Sequence, residues 1–108
     1  MLSRLREASK LRQLEWDKHK VIDVSFLGCE LAGEVGELCN VIKKLERERL
    51  GLPGSRATEE DLAAEMADVI IVLDLIAARF DVDLERAVVR KFNATSDKLR
   101  LNTKLSYY

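Results

Sequence analysis

Glu30, Glu34 and Glu37 place three carboxylates within eight residues of an otherwise apolar run, Glu30-Leu31-Ala32-Gly33-Glu34-Val35-Gly36-Glu37-Leu38. On a helix, offsets of three, four and seven residues return to nearly the same side, so these acids form one row. Like charges at this spacing cost roughly 0.2–0.5 kcal/mol per pair, which calls for solvent or a cation beside them. Carboxylates without His or Cys suit a hard ion, Mg²⁺, Mn²⁺ or Ca²⁺. A row of Glu alone reads better as a solvated face. Glu65 and Asp68 change that balance. They sit three apart in the nearly all-apolar stretch from Leu62 to Ala77, on a stripe with Asp61 and Val72. Burying an ionised carboxylate costs several kcal/mol unless it is paired or bound to metal. Glu34 and Glu37 from one helix and Glu65 and Asp68 from another would supply four carboxylates to a site between facing helices.

Four helices are expected to position these groups. The first runs from Leu2 to about Asp17, with Leu2, Leu5, Ala8, Leu11 and Leu14 as its apolar period. Trp16-Asp17-Lys18-His19-Lys20 interrupts it, and the second helix follows from about Val21 to Arg49 with Leu27, Leu31, Val35, Leu38, Ile42 and Leu45 as its apolar stripe. Gly51 and Pro53 mark its stop. Thr58 and Asp61 form a capping-box pattern that starts the third helix. Asp74 falls on the face opposite the acidic pair and is expected to meet an Arg. Asp83 caps a fourth helix, Leu84 to about Leu99, with Ala87, Val88, Phe92 and Leu99 inward. The reading is an all-α, four-helix bundle-type domain spanning residues 1–108, with 100–108 as a tail or partner-binding arm. The third helix has more apolar surface than so short a chain can cover, so assembly as an oligomer is expected.

Composition narrows the classes. The chain has 108 residues, 47% hydrophobic and 34% charged, with one proline and five glycines, which fits a folded helical domain and excludes disorder. A net charge of −1 gives no global field toward a nucleic acid polymer or an anionic membrane. No signal-like opening or run of about 20 apolar residues is present, so a cytoplasmic location is the expectation. Cys29 and Cys39 stand ten residues apart on one helix, a rise of roughly 15 Å that no intramolecular disulfide spans, and are expected to be buried thiols.

Two further groups suit a nucleotide. Trp16 beside Lys18 and Lys20 can stack on a base while cations meet phosphate, although a Trp covering a core end is the commoner case. Lys91 and Asn93, with Lys98, offer charge and an amide to a polyphosphate.

Gly33-Glu34-Val35-Gly36-Glu37-Leu38, followed about thirty residues later by Glu65-Met66-Ala67-Asp68, resembles the MazG-like all-α nucleoside triphosphate pyrophosphohydrolases, a group related to the dCTP pyrophosphatases and dimeric dUTPases. The resemblance covers roughly Trp16 to Lys98. Gly33 stands where many members have a second Glu, as in the dCTP-pyrophosphatase branch. It implies Mg²⁺, with Mn²⁺ as a substitute, held by Glu34, Glu37, Glu65 and Asp68. It further implies phosphate contacts from Lys91, Asn93 and Lys98, and Trp16 near the base. Glu30 would be an additional acid of the site or, like Asp61, stand behind the metal ligands. Hydrolysis of an NTP or dNTP to the monophosphate and pyrophosphate follows, in a homodimer or homotetramer, for nucleotide-pool house-cleaning. Either Glu34 or Glu37 would be the base. The alternative is a non-catalytic nucleotide-binding or protein-interaction module on the same fold. A di-iron bundle would need Glu-x-x-His motifs that this chain lacks, and nothing favours phosphoribosyl-ATP as substrate.

Overall fold

A computed structural model of the chain describes residues 1–107 and is all-helical among them. Four helices follow in order: α1, Leu2–Trp16; α2, Val24–Arg49; α3, Glu59–Arg79; and α4, Leu84–Lys98. No helix among the described residues is long and apolar enough to cross a membrane.

Side-chain caps set most of these boundaries. Helix α2 begins three residues later than the apolar pattern implies. Asp17 accepts the amide N–H groups of Val21 and Ile22 at 3.0 and 3.1 Å and holds them in a turn. Asp23 then accepts from Phe26 N–H as the N-cap. The Thr58–Asp61 capping box is formed in both directions, and Asp83 caps α4 through Arg86 N–H. Helices α2, α3 and α4 each end with a residue in the left-handed region, at Gly51, Asp81 and Arg100. At each end the next N–H bonds back across the last turn, Leu52 to Arg47 O, Val82 to Ala77 O and Leu101 to Ser96 O, so orphan carbonyls are satisfied three times in the same way.

Helices α2 and α3 make the main packing surface. They run antiparallel, since Glu34 and Glu37 meet Glu65 while Glu30 lies with Asp68 nearer the α1 side. Leu27, Val41, Val72, Ala77 and Val89 form the buried apolar core. Helix α1 lies against α3, and α4 packs on α1. Asp74, only 1% exposed, is the lock. It accepts from Arg6 Nε and Nη2 at 3.1 and 2.9 Å, and Nη2 also donates to Val82 O at 2.7 Å, which ties α1 to α3 and to the turn before α4.

Several expected faces differ. Helix α1 buries Ser9 and half-buries Leu2, Leu5, Arg6 and Gln13, while Leu11 and Leu14 are more than 60% exposed. Leucines spaced by three fall about 60° short of a turn at each step, so the row winds from the inner to the outer side. Val35 and Ile42 of α2 point outward, and Val41 and Glu34 lie on the packed side instead. Helix α4 turns Val89 and Ser96 inward and leaves Ala87, Val88, Phe92 and the capping Leu99 exposed. Cys29 and Cys39 are exposed free thiols rather than buried ones, because both lie off the α3-facing side of α2. The segment after α4 folds back along it: Asn93 exchanges two hydrogen bonds with the Leu105 backbone, Lys104 pairs with Asp97, and Arg86 sits over the Tyr107 ring.

Candidate metal and nucleotide site

The acidic residues meet where α2 crosses α3. One carboxylate oxygen from each of Glu34, Glu37 and Glu65 lies within 4.8 Å of the others. Glu34 and Glu65 are half-buried and Glu37 is exposed, so the cluster has an inner wall and an open side. Glu34 Oε2 and Glu65 Oε2 are buried without a hydrogen-bond partner. Asp68, exposed on the next turn of α3, is close enough that its charge acts on both.

This crowding shifts the acids in one direction. Burial is the main cause that pushes Glu34 above its ordinary value, followed by the charges of Glu37 and Asp68 and by hydrogen-bonding reach to Glu37. Glu65 is raised for the same reasons in the same order, with Asp61 adding a smaller repulsion. Lys44 acts on Asp61 from α2. Asp61 is used as a cap, its carboxylate held low by the Thr58 N–H and hydroxyl, and it borders the cluster without joining it.

The donor set fits a hard divalent cation. All the converging atoms are carboxylate oxygens, and two buried ones lack partners. Oxygens on one Mg²⁺ stand no more than about 4.2 Å apart and those on Ca²⁺ up to about 5 Å, so small side-chain adjustments close the 4.8 Å cluster on either.

Beside the cluster opens a cavity of about 470 Å³, lined by Trp16 and Arg12 of α1, Glu30 and Glu34 of α2, and Asp68 and Val72 of α3, among others. Trp16, Glu30, Glu34 and Asp68, singled out separately in the sequence, are thereby brought together. Lys91, Asn93 and Lys98 are not among its lining residues. Lys91 borders an apolar depression with Phe92 and Leu101, Asn93 is engaged by Leu105, and Lys98 is exposed at the end of α4. Sequence reasoning missed Ser9, Arg12 and Gln13, which also line the cavity. Their i, i+3 and i+4 spacing with Trp16 was a usable signal, obscured by the leucines on the other side of the same helix.

Residues 25–100 match the family model of the MazG nucleotide pyrophosphohydrolase domain, a span that contains both acidic motifs. The chain is also similar to the "Gene 37 protein" of Mycobacterium phage L5, at 31% identity over 77 residues, covering 71% of this chain and 67% of the phage protein. No solved structure gives a significant match.

Proposed function

Because the chain belongs to the MazG nucleotide pyrophosphohydrolase family, we propose that it hydrolyses a nucleoside or deoxynucleoside triphosphate to the monophosphate and pyrophosphate. Glu34, Glu37, Glu65 and Asp68 would hold a divalent cation, Mg²⁺ or in its place Mn²⁺. The observation that carries this reading is the convergence of the Glu34, Glu37 and Glu65 oxygens within 4.8 Å, with one oxygen each of Glu34 and Glu65 buried and unpartnered. Such an arrangement is unfavourable by itself and becomes favourable with a cation between the charges. When bound, that cation supplies polarisation of phosphoryl oxygens and neutralisation of the charge on the departing pyrophosphate.

The residues of the chain supply the remainder. Glu34 or Glu37 accepts the proton of the attacking water, and Glu37, within reach of both Glu34 and Glu65, can share it with either. Trp16, half-exposed at the cavity, stacks on the base. Lys91, Asn93 and Lys98 do not line this cavity within one chain, so their contact with the phosphates would be made from a neighbouring copy. The assembly is a homodimer or homotetramer, and the role is removal of unwanted nucleotides.

The test is pyrophosphate release from a panel of NTPs and dNTPs, with and without Mg²⁺, for the native chain and Asp68→Ala. Metal-dependent release, lost at least about 100-fold in the variant, is the expected result. Binding without turnover would leave the non-catalytic module as the better reading.

A further inference from the structure

We propose that Glu30 and Gln13 read the nucleobase and select one that carries an amino group beside an unprotonated ring nitrogen. The proposal rests on the reading that the cavity beside the acidic cluster takes a nucleotide, and it concerns which nucleotide.

Ser9, Gln13 and Trp16 of α1 and Glu30 of α2 line the same cavity. Ser9 is only 5% exposed, yet its hydroxyl has no hydrogen-bond partner. Both amide atoms of Gln13 and Oε2 of Glu30 are likewise buried and unpartnered. Folded proteins retain few such groups, and each one costs stability. Their collection around one cavity, from α1 and α2, points to a ligand that brings the missing partners. Glu30 is not one of the carboxylates that converge as a cation site. It precedes Glu34 by one turn, ~6 Å along the helix, on the side where Trp16 and Gln13 lie. That is the end of the cavity left for a base when the phosphates meet the cluster.

The chemistry of the three side chains then selects. A carboxylate only accepts hydrogen bonds, an amide offers one donor edge and one acceptor, and a hydroxyl does either. Cytosine and adenine present an amino group next to an unprotonated ring nitrogen, so Glu30 can take the amino hydrogen while the Gln13 amide donates to the ring. Uracil and hypoxanthine put a carbonyl where cytosine and adenine carry the amino group, setting it against the Glu30 carboxylate, and a ring N–H where the bare nitrogen would accept from Gln13. A site built to hydrogen-bond a group rejects the analogue that lacks it.

The experiment compares kcat/KM for dCTP against dUTP and dATP against dITP, in the native chain, Glu30→Gln and Gln13→Leu. Calorimetric binding of the same nucleotides with Mg²⁺ runs alongside. The native chain should favour the amino-bearing member of its preferred pair by on the order of 10- to 100-fold, the size of one hydrogen bond to a charged group. Glu30→Gln, whose amide can donate to a carbonyl, should narrow or invert the ratio with an unchanged Mg²⁺ half-saturation. Gln13→Leu should lower kcat/KM for the preferred nucleotide most. Equal treatment of both members of every pair by the native chain overturns the proposal. So does a Glu30→Gln variant that weakens both equally or raises the Mg²⁺ requirement, which would make Glu30 a cation ligand. Absence of turnover with retained binding removes the hydrolase reading alone, and the calorimetric ratio still decides the base preference.

Discussion

Glu65 and Glu34 each present a buried, unpartnered oxygen to a cluster of like charge, and this sets a sign that can be measured. Both are raised above the ordinary 4.5, first by burial and then by neighbouring acids. A carboxyl raised in the folded state contributes stability below its unfolded value, and that contribution is lost as pH rises through the folded value. In chelator, Glu65→Gln should therefore be more stable than the native chain, by a margin larger at pH 7 than at pH 4, below the ordinary value. Thermal midpoints at the two pH values check it. Saturating Mg²⁺ should reverse the order at pH 7, because the variant loses a ligand, and a margin indifferent to Mg²⁺ would count against a cation at the cluster. Asp61 carries the opposite sign. Its value is lowered by the Thr58 N–H, so the stability it adds is present above the unfolded value and lost as pH falls through the folded one.

At the scale of elements, the Arg6–Asp74 pair holds α1 in place, and through α1 the upper wall of the cavity. Arg6→Met should cost about 3 kcal/mol or more by leaving a buried carboxylate unpaired, whereas Arg6→Met with Asp74→Leu should recover much of it. Denaturant midpoints of the two variants decide the point. Thr58→Ala should cost about 1 kcal/mol through the lost cap of α3, and Arg100→Gly should gain about 1 kcal/mol by relieving a left-handed non-glycine residue. These features were unevenly legible in the sequence. The Thr58–Asp61 box, the Asp83 cap and the partner of Asp74 follow from local rules, because caps and buried charges have few alternatives. The inward faces of α1 and α4 did not follow. Periodicity identifies an apolar stripe without saying what covers it, and here Leu11, Leu14, Val88 and Phe92 face outward. The acidic cluster was legible because its motifs combine a fixed spacing with an improbable setting. Ser9 and Gln13 were not, since neither residue type is unusual on a helix.

The whole molecule exposes more than a chain of this size should. Its accessible surface is 8336 Å², against roughly 6,100 Å² for a compact 12.3 kDa monomer. Its radius of gyration is 17.3 Å, against about 13 Å. The excess includes Leu11 and Leu14 on α1, Met66, Ile70 and Leu73 on α3, and Val88 and Phe92 on α4. An area of this order per chain is what obligate assemblies bury. Light scattering should therefore give a mass that is a multiple of 12.3 kDa, with a thermal midpoint that rises with protein concentration. Ile70→Asp should lower both. A stable monomer at micromolar concentration would remove the assembly, and with it the assignment of Lys91 and Lys98 to a neighbour's phosphates.

The Glu34, Glu37, Glu65 and Asp68 cluster is proposed to split a nucleoside triphosphate between its α and β phosphorus atoms. Phosphorus NMR of a nucleotide incubated with the native chain and Mg²⁺, beside Glu34→Gln, reads the bond that breaks. Monophosphate and pyrophosphate resonances should grow together in the native sample, with neither appearing in chelator or in the variant. Diphosphate with inorganic phosphate, or equal turnover by Glu34→Gln, would contradict it.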